Sequence, residues 1–188
     1  MALKYTTFGS EVMAHDDDKL ILDHFISTED RDDGGDVMRV DGCVIRGRPV
    51  VLKQHGLDGC FGNEPIAKPL EIRIGVNPET ESKGLIARTQ YYDGSKLNPP
   101  DNTGKRLYEK AKEGFMPNWS VGWQEIESRP TSSGGREVVK WSLHEYSQVA
   151  VGMNAFSSTP EYKTLKMEKI KEGTPFTHSK LAFRKMVR

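Results

Sequence analysis

Two alternating stretches carry the strongest pattern in this 188-residue chain. Across residues 69–76, Leu70, Ile72, Ile74 and Val76 fall on one face and Glu71 and Arg73 on the other, the period of a half-buried strand. Residues 85–91 alternate again after a turn at 77–84, so the pair predicts a hairpin. Further strands are predicted at 20–27, 37–40, 50–54, 119–126 and 137–143, with apolar extended sequence at 146–153 and at most one strand in 1–13, where Val12 and Met13 take alternate sides. Polar or glycine-rich connections at 14–19, 28–36, 56–64, 93–102 and 127–135 separate them.

One helix is clearly signalled at 103–113. Asp101 or Thr103 serves as its N-cap, Gly114 stops it, and Leu107, Tyr108 and Ala111 make one apolar stripe. A short charged helix is predicted at 161–171. Strands dominate, and they alternate with helices too irregularly for a βαβ series. The expected fold is mostly β (α+β), a compact, mainly antiparallel β-barrel with packed helices. Residues 1–160 form one domain, followed by a basic C-terminal extension or docking tail at 161–188.

Charge refines this outline. The net charge is zero, which argues against a general nucleic-acid binder. Residues 11–41 nevertheless hold eleven Asp/Glu against three Lys/Arg, and residues 161–188 hold eight Lys/Arg against three Glu. Such ends attract each other, other copies or an oppositely charged partner, or else are two solvated faces. No stretch has the length and apolarity of a membrane span, and Met1-Ala2-Leu3-Lys4 opens no signal-peptide core. Cys43 and Cys60 match no zinc spacing and read as ordinary reduced thiols.

The candidate chemistry centres on Trp119-Ser120-Val121-Gly122-Trp123, a hydroxyl between two tryptophans with glycine close behind. Serine hydrolysis needs a held hydroxyl, an imidazole to take its proton and a third group to fix the imidazole. Ser120, His55 and Glu145 supply these if their strands are neighbours. Spacing alone equally allows a strand serine, a strand-end histidine and a solvated carboxylate. The loop Thr28–Asp36 has the acidic residues and glycines of a calcium loop, but lacks an EF-hand's register and closing glutamate, so a solvated acidic turn is expected. The histidines show no metal-binding spacing, and no metal or cofactor is implied. The tryptophans, with Tyr91 and Tyr92, read as core and rim aromatics.

The order of several motifs resembles the prohead (capsid maturation) protease family of tailed phages, serine proteases similar in fold to herpesvirus assemblin. The resemblance spans about residues 20–155. It is carried by Asp30-Arg31-Asp32-Asp33-Gly34-Gly35-Asp36-Val37, by Pro49 to His55 with Pro65-Ile66-Ala67 after it, by Ser120-Val121-Gly122-Trp123, by Leu143-His144-Glu145-Tyr146-Ser147-Gln148-Val149, and by Val151-Gly152-Met153-Asn154-Ala155. Trp123 stands where the family has Phe, Ala67 where it has Gly, and Gly152-Met153 where it has Pro-Ala.

The resemblance implies an assemblin-like barrel with Ser120 as nucleophile, His55 as general base and acid, and Glu145 as third member. Assemblin-like enzymes use a second histidine there, which makes His144 the alternative. Neighbouring strand residues point to opposite faces, so only one of the two can reach His55 unless the strand is bulged. Arg129, or the backbone of Gly134, Gly135 and Arg136, is the expected oxyanion region. Also implied are cleavage of scaffold and major capsid protein inside the assembling prohead in the host cytoplasm, self-processing, homo-oligomerisation, no cofactor, no membrane and no specific nucleic acid. The basic tail then suits an internal partner of opposite charge. Two rivals remain: a non-enzymatic head-assembly or scaffold protein with a protease-like fold, and an unrelated β-rich protein whose acidic loop grips a cation or partner.

Overall fold

The computed structural model describes residues 15–57, 59, 63–132 and 134–159. Elements follow in the order β1 (His15–Asp16), β2 (Ile21–Thr28), β3 (Val37–Met38), β4 (Cys43–Lys53), β5 (Ala67–Val76), β6 (Lys83–Tyr91), α1 (Thr103–Lys112), β7 (Asn118–Pro130) and β8 (Arg136–Val149). The strand expected within 1–13, the helix expected at 161–171, the basic extension and Cys60 lie outside the described residues.

The protein is mostly β, its one sheet curled into a half-barrel. Strands are ordered β1-β2-β6-β5-β4-β8-β3, and β7 pairs along the other edge of β8. Most pairs are antiparallel, as expected, but β4 and β3 both run parallel to β8. The gap between β2 and β7 is spanned by residues 157–158: Ser157 O accepts from Trp119 N at 2.8 Å and Ser158 O from Phe25 N at 3.2 Å. Among the described residues α1 is the one α-helix, and it falls where the helix at 103–113 was expected. Its N-cap is Asn102, without a side-chain cap bond, rather than Asp101 or Thr103; Asp101 Oδ1, one residue further out, accepts from Thr103 N at 2.8 Å. Gly114, at φ 75°, ends it in the left-handed conformation that glycine adopts without strain.

The inner face buries Leu22, Ile72, Ile74, Leu85, Trp119, Trp141, Leu143 and Tyr146 around the stripe of α1. Gln148 ties that helix to the sheet: its Nε2 donates to Leu107 O (3.0 Å) and Met116 O (2.9 Å), and its Oε1 accepts from Tyr91 OH (3.0 Å). Trp119 stacks on His24 with ring centroids 3.5 Å apart. His24 Nε2 and Tyr146 OH share Thr89 Oγ1, each at 2.8 Å. Complete burial pushes the His24 pKa well below the ordinary value, so this ring is neutral.

Two expectations about faces change. Leu70 is the extra residue of a bulge between Pro69 and Glu71 and is 39% exposed, while Ile72 and Ile74 bury as expected. Arg73, assigned to the solvent face, is buried, because Asp23 of β2 lies beneath it. The Asp23 carboxylate, 2% exposed, accepts from Arg73 at 3.0 Å and from both Nε and Nη2 of Arg88, at 2.8 and 2.9 Å. One buried anion thus links β2, β5 and β6. Asp23→Ala removes the 3.0 Å partner of the buried Arg73 guanidinium and both contacts of Arg88, leaving Arg73 with more distant partners such as Glu71 Oε2 at 3.9 Å, and is expected to cost about 3 kcal/mol of unfolding free energy. Urea denaturation checks this, and a loss below about 1 kcal/mol would show that the pair carries no such weight.

Candidate active site

The site is built on a change of phase in β8. Trp141 and Leu143 face the core, and so does Tyr146, which strict alternation forbids. The register shows how both are met. Opposite β7, Leu143 pairs with Trp123 and Glu145 with Gly122, leaving His144 as one extra residue. Opposite β4, Leu143 pairs with Ile45 and Glu145 with Val50, so residues 46–49 bulge out at the same level. Beyond the bulge the side chains of Glu145 and Ser147 point away from the inner face that holds Tyr146 and Gln148. Glu145 and Ser147 therefore share the outer face with their partners Gly122 and Ser120.

His55 reaches this face from the end of β4. Gln54 (φ 51°), His55 (φ 57°) and Gly56 (φ 70°) form a left-handed turn, and two of the three carry a Cβ that this conformation disfavours. The turn is held by His55 N donating to Ser147 Oγ (3.1 Å) and by Ala150 N donating to Gln54 Oε1 (3.4 Å). His55 Nδ1 lies 2.6 Å from Glu145 Oε1, and Ser147 Oγ donates to Glu145 Oε2 at 2.7 Å. Glu145, accepting a hydrogen bond from the His55 ring, raises the His55 pKa above its ordinary value, against a smaller opposing effect of burial.

Ser120 is half-buried and registered opposite Ser147, on the same face as the His55–Glu145 pair. Its hydroxyl makes no hydrogen bond with the described residues, and so none with His55. Val121 turns inward against the core. The absence of a side chain at Gly122 serves Glu145. A Cβ there would lie 2.1 Å from Glu145 Oε1 and 2.8 Å from Glu145 Cγ and Cδ. The glycine makes room for the protein's own carboxylate, which lies flat across β7.

Searches of family models, of curated proteins and of solved structures find no match to the chain. The site therefore rests on its own geometry and on the motif order.

His144 is exposed at the bulge, with its Nε2 2.8 Å from Ser142 Oγ; Glu145, not His144, meets His55. The expected oxyanion region is corrected. Arg129 sits nine positions beyond Ser120, near the far end of β7, and its Nε donates to Glu137. Arg129 and then Arg39 hold the Glu137 carboxyl down at about 2. Gly134 N donates to Thr131 O, and Gly134 O accepts from Arg31 and Thr131, so this hairpin tip braces itself far from Ser120.

The acidic loop is likewise no solvated turn. Asp30 Oδ2 accepts the hydroxyls of Thr28, Ser82 and Thr80 at 2.7, 2.6 and 3.1 Å, and Asp36 pairs with Arg136 at 2.7 Å. Its carboxylates brace β2, the β5–β6 turn and the start of β8.

Sequence reasoning passed over Ser147. The available signal was the two-residue spacing Glu145-x-Ser147, which puts both side chains on one strand face. Because the clash at Gly122 involves the movable end of a side chain, Gly122→Ala is expected to fold while driving Glu145 off His55. Its His55 imidazole should titrate nearer about 6.5, as measured by NMR. An unchanged midpoint would mean that the carboxylate does not depend on the glycine.

Proposed function

We propose that this protein is a serine endopeptidase with an assemblin-like fold. In this reading it cleaves scaffold or capsid protein during maturation of a viral head, by acyl-enzyme hydrolysis of peptide bonds. The observation that carries the chemistry is the 2.6 Å contact of His55 Nδ1 with Glu145 Oε1 on the sheet face that also bears Ser120. The ordered motifs carry the choice of substrate. Self-processing, a homo-oligomeric state and action inside the assembling prohead in the host cytoplasm follow from the same resemblance.

With Glu145 accepting the Nδ1 proton, the neutral imidazole has its lone pair on Nε2. Nε2 takes the Ser120 Oγ proton as Oγ attacks the peptide carbonyl. The imidazolium, stabilised by Glu145, then gives that proton to the leaving amine. Water attacks the acyl-serine in the same way, returning the proton to Ser120. The Oγ–Nε2 hydrogen bond is missing at rest and forms as substrate seats, since catalytic contacts are often open in unliganded enzymes.

That missing bond is also the observation favouring the runner-up, a non-enzymatic head-assembly protein of protease-like fold. A fluorophosphonate probe separates the two. It is expected to label Ser120 in the oligomeric protein and to leave a folded Ser120→Ala variant unlabelled and without cleavage activity. No labelling at any protein concentration would sink the protease reading.

The pH profile follows from the raised His55 pKa. His55 acts as base only when neutral, so kcat/KM should climb with pH through a midpoint above about 6.5. The same coupling stabilises the folded state below the ordinary histidine value and fades as pH rises through the raised one. Glu145→Gln should move the midpoint down toward about 6.5 and cut kcat by about a hundredfold or more. His144→Ala should change neither. A midpoint that follows His144 instead would reassign the third member.

A further inference from the structure

We infer that Ser147 is a positioning residue that sets both halves of the His55–Glu145 pair through one hydroxyl; the inference rests on the proteolytic reading above. Ser147 is fully buried, and its Oγ makes two contacts that differ in kind. It donates to Glu145 Oε2 at 2.7 Å, which fixes the carboxylate plane and turns Oε1 toward His55 Nδ1. It accepts from His55 N at 3.1 Å, which holds the left-handed turn carrying the imidazole.

The turn needs such a restraint. Gln54 and His55 both stand at positive φ, a conformation costing about 1–3 kcal/mol for a residue other than glycine unless its surroundings hold it. No exposed water can replace the hydroxyl, because Ser147 is sealed between β4 and β7. Its register partners are Leu52 on one side and Ser120 on the other. The strand position that faces the nucleophile is therefore the one that aims the base and its carboxylate.

The same geometry rules out Ser147 as a second nucleophile. Its proton is committed to Glu145, one lone pair to a backbone N–H, and the residue presents no exposed surface to a substrate carbonyl. Ser147 acts through Glu145 and His55 alone.

The test compares Ser147→Thr with Ser147→Val, equal in shape and differing in the hydroxyl, with Ser147→Ala as a third variant. Two readouts are taken on the whole chain: the His55 titration midpoint by NMR, and kcat and KM for peptide cleavage. Thr is expected to keep the raised midpoint and activity within a few fold. Val and Ala are expected to lower the midpoint toward about 6.5 and kcat by about ten- to a hundredfold, with KM little changed.

Folded Val and Ala variants that keep the wild-type midpoint overturn the inference. So does a series in which Val and Ala fail to fold while Thr is native, because Ser147 is then a structural residue only. The NMR readout needs no turnover. A wild type that cleaves nothing therefore refutes the protease reading, while the midpoints still decide whether Ser147 aims the pair.

Discussion

Everything at the candidate site depends on one extra residue in one strand. β8 must bury Trp141 and Leu143 before the bulge and Tyr146 and Gln148 after it, all against the same inner face. An unbroken strand would turn one of these pairs to the outside and bring Glu145 into the core, where an unpaired carboxylate is costly. Inserting His144 resolves the conflict, and the neighbouring stretch of β4 loops out at the same level to accommodate it. Core packing, rather than any demand of chemistry, thus puts Glu145 and Ser147 on the outer face beside Ser120.

From that shift the rest follows by contact. Glu145 lies down across β7, which leaves no space for a side chain at position 122. Its two oxygens are divided between the His55 imidazole and the Ser147 hydroxyl. The His55 turn is strained in its backbone and is tied to β8 by the same hydroxyl. On the other side of β7, Trp119 is locked between His24 and the aromatic core, which fixes the strand from which Ser120 projects. A rigid inner face and a polar outer face are therefore two sides of the same strand pair. Such a pair of faces holds the outer side chains in fixed positions.

The acidic segment also changes meaning in three dimensions. Its sequence suggested a cation loop or a solvated turn, yet Asp30 gathers three hydroxyls and Asp36 grips Arg136. Together with the Asp23 cluster beneath Arg73 and Arg88, buried or half-buried anions join strands that lie far apart in the chain. The charges that composition counts as surface polarity are in part the fasteners of the half-barrel.

What the chain determined by itself was local. Alternation marked the β5–β6 hairpin, Asp101 and Gly114 bracketed α1 to within a residue, and strand dominance set the mostly β class. These rest on near-neighbour periodicity and backbone preference, which any folded form must respect. The identity of the paired acid also came from sequence, through the position of Glu145 in an ordered motif. Tertiary structure alone decided the parallel β4–β8 seam, the burial of Arg73, the bulge at His144 and the role of Ser147. It also put Arg129 at the far end of β7 and Gly134–Gly135 in the turn beyond it, engaged with Glu137, Thr131 and Arg31 rather than with Ser120. Each of these depends on which strands become neighbours and in what register. A one-residue shift in register reverses every side chain beyond it, and local sequence does not encode where that shift falls.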